Sequence, residues 1–161
     1  MKIAVNKWRN FSGKVLDQPI TTLVEEAIVR EQKAGYRLKI CVGSDSQAYK
    51  AHVAYATVVV ILREGKGGFM FIKNLKGTTK ISTKERMLKE VAMSVETAYA
   101  ICHILDRCNV ELEVHADINT DPKFESNVAL KEAMGYILGM GFVFKAKPNA
   151  FASSSCADLA V

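Results

Sequence analysis

The sequence predicts an α/β domain: a mixed five-stranded sheet with helices on its faces. Three observations carry this. Residues 37–44, Val53–Arg63 and 69–74 form a run of three extended segments, the last two joined by Gly65-Lys66-Gly67-Gly68. Two stretches of helical periodicity follow, each leading into another extended segment. The order strand–strand–strand–helix–strand–helix–strand suits a three-strand antiparallel meander extended by helical crossovers.

Residues 1–18 show no clear period and mix Lys2, Lys7, Arg9 and Lys14 with Trp8 and Phe11, as an arm or short hairpin does. Trp8 and Phe11 read as packing anchors. Residues 21–34 place Leu23, Val24, Ala27 and Ile28 at helical spacing, with Thr21 or Thr22 as cap and Gly35 as stop. In residues 37–44, Leu38, Ile40 and Val42 face one way, and Lys39, Cys41, Gly43 and then Asp45 the other. Val53–Arg63 is apolar on both faces at residues 58–62 and reads as central.

Residues 82–106 read as the longest helix, opened by a Ser82/Glu85 capping box. Its apolar stripe is Leu88, Val91, Val95, Ala98, Cys102 and Leu105, bordered by Glu90 and Ser94. Residues 109–118 form the fourth strand, with Glu113, His115, Asp117 and Asn119 on its polar parity. A helix over 124–140 and a strand over 142–147 follow; residues 153–159 form a loop entering a short helical turn. With no repeat or linker, the chain reads as a single domain over 1–161, with residues 1–35 a helical extension and 36–161 the core.

Composition narrows the function. Nearly half the residues are apolar and the net charge is +5, which favours a polyanionic partner. The four cysteines form no CxxC pair, against a zinc site. No signal peptide or apolar run of spanning length is visible, so the expected location is the cytoplasm, with reduced thiols and no membrane partner. The glycine cluster at 65–68 is not a phosphate loop, because no Gly-Lys-Ser/Thr leads from it into a helix.

The chemistry points to carboxylates. Val42-Gly43-Ser44-Asp45 delivers one at the end of the first core strand, and His115-Ala116-Asp117 delivers another near the end of the fourth. Parallel pairing of those strands sets the two acids side by side. They would repel unless a cation were bound. Oxygen ligands on separate elements suit Mg²⁺ or Mn²⁺. Lys73, Lys76, Lys80, Lys84, Arg86 and Lys89 cluster before and on the first turns of the long helix, where they would track a nucleic-acid backbone, and Lys147 would meet phosphate near the site.

The ordered set of Val42-Gly43-Ser44-Asp45-Ser46-Gln47, His115-Ala116-Asp117-Ile118-Asn119, and Lys147-Pro148 followed by Ala152-Ser153-Ser154-Ser155-Cys156-Ala157-Asp158 resembles the YkuK-type branch of ribonuclease H-like proteins. The resemblance implies a ribonuclease H-like fold and a nuclease using two metal ions, Mg²⁺ or Mn²⁺, on RNA or an RNA/DNA hybrid. It places Asp45 as the metal-bridging aspartate, Asp117 as the fourth-strand aspartate and Asp158 as the last acid. Glu90 is the helix glutamate, with Glu85 as fallback, and Asn119 is accessory; His115, two residues from Asp117 and on its face, reads first as a hydrogen-bonded structural histidine, with a proton shuttle or phosphate contact as its accessory role. The chain stops three residues after Asp158, which favours the alternative of a non-catalytic nucleic-acid-binding module.

Overall fold

The computed structural model describes residues 7–78, 80–119, 121, 123 and 130–161. Its elements in chain order are strands β1 (Trp8–Asn10) and β2 (Val15–Leu16), helix α1 (Ile20–Lys33), strands β3 (Leu38–Ala48), β4 (Val53–Arg63) and β5 (Gly68–Gly77), helix α2 (Thr83–Cys108), strand β6 (Glu111–Asn119), helix α3 (Leu130–Gly139) and strand β7 (Val143–Lys147). A π-helix, Ala152–Ala157, and the short helix α4, Asp158–Ala160, close the chain.

One seven-stranded sheet runs in the order β2-β1-β5-β4-β3-β6-β7. The meander is as expected: β3 pairs antiparallel with β4 from Leu38↔Arg63 to Ala48↔Val53, and β4 pairs antiparallel with β5. β6 joins β3 in parallel, from Lys39↔Glu111 to Gly43↔His115, and β7 joins β6 in parallel.

The sheet has two more strands than the five expected. They form an N-terminal hairpin that adds β1 antiparallel to the edge of β5. Asn10 shapes its turn by accepting from the Lys14 amide at 2.9 Å, and Trp8 is buried beneath the Lys73 ammonium, 5.2 Å from the ring centroid. Trp8 is thus the packing anchor expected. Phe11 is not: it is 64% exposed.

β3 also outruns its expected end at residue 44 by four residues, so Asp45 lies within a strand, opposite Ala56 of β4. Helix α1 starts after Pro19 without a side-chain cap, because Thr21 and Thr22 lie inside its first turn. The Ser82/Glu85 capping box is formed, and α2 ends where Asn109 takes a left-handed conformation at φ 57°. Of the helix expected over 124–140, residues 124–129 lie outside the described residues; the rest is α3.

The sheet separates two unequal layers. On one face α1 and α2 bury Ile40, Val42, Val59, Ile61, Val91, Val95 and Val114 in the main core. Ile101 and Ile104 of α2 are buried where the stripe had Cys102, which is only half-buried. Each fully buried aliphatic side chain there contributes about 1.5–3 kcal/mol. On the other face a smaller cluster, Cys41, Val58, Val60 and Ile72, meets Ala152 and Ala157 of the π-helix.

Candidate metal centre

Strand parity sends Cys41, Gly43 and Asp45 of β3 toward the π-helix face. Gly43 lets that helix come close: a Cβ there would lie 2.6 Å from both Ala152 C and Ser153 N. This approach brings Asp158, just beyond the π-helix, to Asp45. Burial first, then the neighbouring carboxyls of Asp158 and Asp117, push the Asp45 carboxyl up to about 7, although the Ser46 amide donates to its Oδ1 at 2.9 Å.

Glu90 reaches the same end of the sheet from the opposite layer. It is 8% exposed and accepts a hydrogen bond from Ser46 Oγ. One turn on, Ser94 Oγ donates to Ser44 Oγ at 2.8 Å, and Ser44 meets Thr57 Oγ1 at 2.9 Å, so small hydroxyls hold α2 close to the sheet. Burial, with the charges of Asp45 and Asp117 adding to it, pushes Glu90 up to about 8. Arg86, one turn earlier, eases that shift. Arg86 Nε and the Tyr55 hydroxyl, also in the field of Glu90, are buried without a hydrogen-bond partner among the described residues. Glu85 is exposed and spends its carboxylate on the Ser82 amide of the capping box.

The Asp117 side chain is 21% exposed, and its Oδ1 is buried with no hydrogen bond among the described residues. Lys147 Nζ lies 2.9 Å from that oxygen but off the hydrogen-bonding direction, so the contact is one of charge alone. The four acids thus come together from β3, α2, β6 and the C-terminal turn, and three of them lie on separate strands or turns of one face.

Behind Asp117 runs a chain that the sequence did not disclose. His115 Nδ1 accepts from the Ala152 amide at 3.1 Å, which assigns the ring proton to Nε2. That N–H donates to Glu113 Oε1 at 3.0 Å, and Lys39 Nζ donates to Glu113 Oε2 at 3.3 Å. Burial, only partly offset by Glu113, lowers the His115 pKa, so the imidazole is neutral. With its side chain 0% exposed and both nitrogens engaged, His115 has no free nitrogen for a proton shuttle or a phosphate. Parity had placed Glu113 on the Asp117 face, the one available signal for its part.

Cys41, Glu113 and His115 also form the one set of three ligand atoms within 4.8 Å of one another among the described residues. Its chemistry is poor for a cation: burial pushes the Cys41 thiol up to about 12, Nε2 carries the proton, and Lys39 already serves Glu113. No three of the four carboxylates offer ligand atoms that close together. They fit a hard divalent ion by donor type, since all are oxygen, and by the buried Asp117 Oδ1 that lacks a hydrogen bond.

The basic residues divide. Lys76 and Lys80 are exposed, whereas Lys84 is tied to Glu132 at 2.5 Å and Lys89 covers the Tyr55 ring at 4.7 Å. Lys147 stands beside Asp117. The Asn119 backbone pairs with Lys147, and its side chain lies outside the described residues.

A family model described as Ribonuclease H-like matches residues 20–160. The uncharacterized protein YkuK of Bacillus subtilis (strain 168) is 29% identical over 155 residues, covering 88% of each chain. No solved structure matches significantly. No helix among the described residues is long and apolar enough to cross a membrane.

Proposed function

The chain belongs to the ribonuclease H-like family, and on that premise we propose that it is a divalent-metal-dependent nuclease acting on RNA or an RNA/DNA hybrid. The core strand order β5-β4-β3-β6-β7, antiparallel through the meander and parallel beyond β3, fits the ribonuclease H-like fold. The observation that carries the activity is the gathering of Asp45, Glu90, Asp117 and Asp158, two of them held near or above neutrality by burial and mutual charge.

Mg²⁺ or Mn²⁺ held by these four acids would supply Lewis acidity and an activated water. The chain's own residues do the rest. Asp45 and Asp117, on adjacent strands, offer carboxylate oxygens from one face. Ser46 fixes the Glu90 carboxylate through its hydroxyl. The π-helix presents Asp158, and the exposed Lys76 and Lys80 lie where a phosphate backbone would be tracked.

The test is a cleavage screen on single-stranded, duplex and hybrid substrates in Mg²⁺ or Mn²⁺, with Asp45→Asn beside the wild type. Loss of a charge-stabilising group should lower the rate by about a hundredfold or more, while metal-free stability holds or rises because a repelling carboxylate is gone. An Asp45→Asn protein that cleaves at the wild-type rate refutes the assignment. One observation favours a second function, a non-catalytic nucleic-acid-binding module: Asp158 is exposed. Salt-sensitive binding without cleavage of any substrate would select it.

A further inference from the structure

The cation beside Asp117 belongs to the protein itself. Lys147 ends β7 at a place where the β6–β7 register slips: His115 pairs with Lys145, but the next pairing is Asn119 with Lys147. β6 therefore spends four residues where β7 spends two, and Asp117 lies in the irregular stretch. This sets the Lys147 ammonium 2.9 Å from Asp117 Oδ1.

The contact differs from two other lysine–carboxylate pairs. Lys7 and Lys39 hydrogen-bond to Asp17 and Glu113. Lys147 makes no hydrogen bond to Asp117 Oδ1, although that oxygen is cut off from water. The lysine side chain is 40% exposed, so its ammonium has a route to solvent. The charge is placed where a cation is wanted, the bond that would fix it there is missing, and the way out is open.

We propose that Lys147 is the resident counter-ion of the acidic site: its ammonium takes the cation position beside Asp117 and must leave it before a divalent ion can bind. This rests on the metal-site proposal above. Lys147 thereby weakens divalent-ion binding in the free protein. Any group that draws the ammonium away, a phosphate included, strengthens that binding by the same coupling.

Calorimetric titration of Mn²⁺ into the metal-free protein tests this, alongside melting curves with and without Mn²⁺. Lys147→Met, with Lys147→Gln as a second neutral variant, should bind Mn²⁺ roughly three- to tenfold more tightly than wild type, the range for removing a close, partly buried charge. The Mn²⁺-induced rise in melting temperature should grow in step. Lys147→Arg, which keeps the charge, should stay near wild type. Lys145→Met, which removes the same charge two residues earlier, should change affinity by less than about twofold. Measurable Mn²⁺ binding of equal strength in wild type and both neutral variants overturns the counter-ion and leaves the metal site standing. Equal gains from Lys145→Met and Lys147→Met overturn it too, since distant charge then suffices. If neither Mn²⁺ nor Mg²⁺ binds any of these proteins, the metal site itself falls and the counter-ion with it.

Discussion

Asp45 and Glu90 hold protons in the folded chain that the same residues have released when it is unfolded, since their pKa values are raised to about 7 and about 8. The folded state then binds more protons, so stability falls as pH rises through those values. His115 acts oppositely below its ordinary value of 6.5, because the unfolded imidazole takes a proton that the buried one refuses. The clear window is therefore about pH 6.5 to 8. The metal-free melting temperature should fall across it, and saturating Mg²⁺ should flatten the curve; a melting temperature that rises over that window in the metal-free protein would contradict the burial of the two acids. At this scale the sequence was informative wherever strand parity decides. Asp45 and Asp117 could be placed on one face because side chains alternate with period two. Parity could not reveal that His115 is shut in, because the π-helix that buries it is not periodic. Nor could it reveal the Lys147 contact, which depends on the slip in β6.

Between elements, the Lys39–Glu113–His115 chain ties β3 and β6 to the first amide of the π-helix, and Ser153 Oγ adds a hydrogen bond to the His115 carbonyl at 2.7 Å. These bonds fix the start of the π-helix that leads to Asp158. Glu113→Leu leaves the buried Nε2–H of His115 without an acceptor and should lower stability by about 1–3 kcal/mol. Glu113→Gln keeps an acceptor and should lose less. Denaturant melts give the comparison, and a Leu variant as stable as the Gln variant would mean that the chain anchors nothing. The elements readable from sequence were those with a local cause. The apolar run at residues 58–62 marked β4, and the capping box marked the start of α2. The serine-rich tract before Asp158 has no such mark: its π-helix is shaped by the close approach over Gly43, a contact between segments far apart in the chain.

Across the whole molecule, the positive surface is smaller than the run of lysines suggested. Lys73 and Lys89 stand over the rings of Trp8 and Tyr55, and Lys84 is paired with Glu132. Reversing charge at Lys76 and Lys80 should flatten the salt dependence of oligonucleotide binding by about 0.7 to 0.9 in log–log slope for each phosphate no longer neutralised. Reversal at Lys84 should change the slope less. Equal effects at all three would mean that the Glu132 pair does not hold in solution. The N-terminal hairpin was hidden for a related reason. Strands of three and two residues are too short to show a period, and only the burial of Trp8 against the assembled sheet gives them a place.

The parallel pairing of β3 with β6 has a consequence in time. It closes a long loop through β4, β5 and α2, and such distant pairings form slowly because the chain entropy is lost before any contact repays it. Until that loop closes, Asp45 and Asp117 are remote from each other and water screens their charges. Their repulsion enters only at the last stage of assembly, so it should speed unfolding far more than it slows folding.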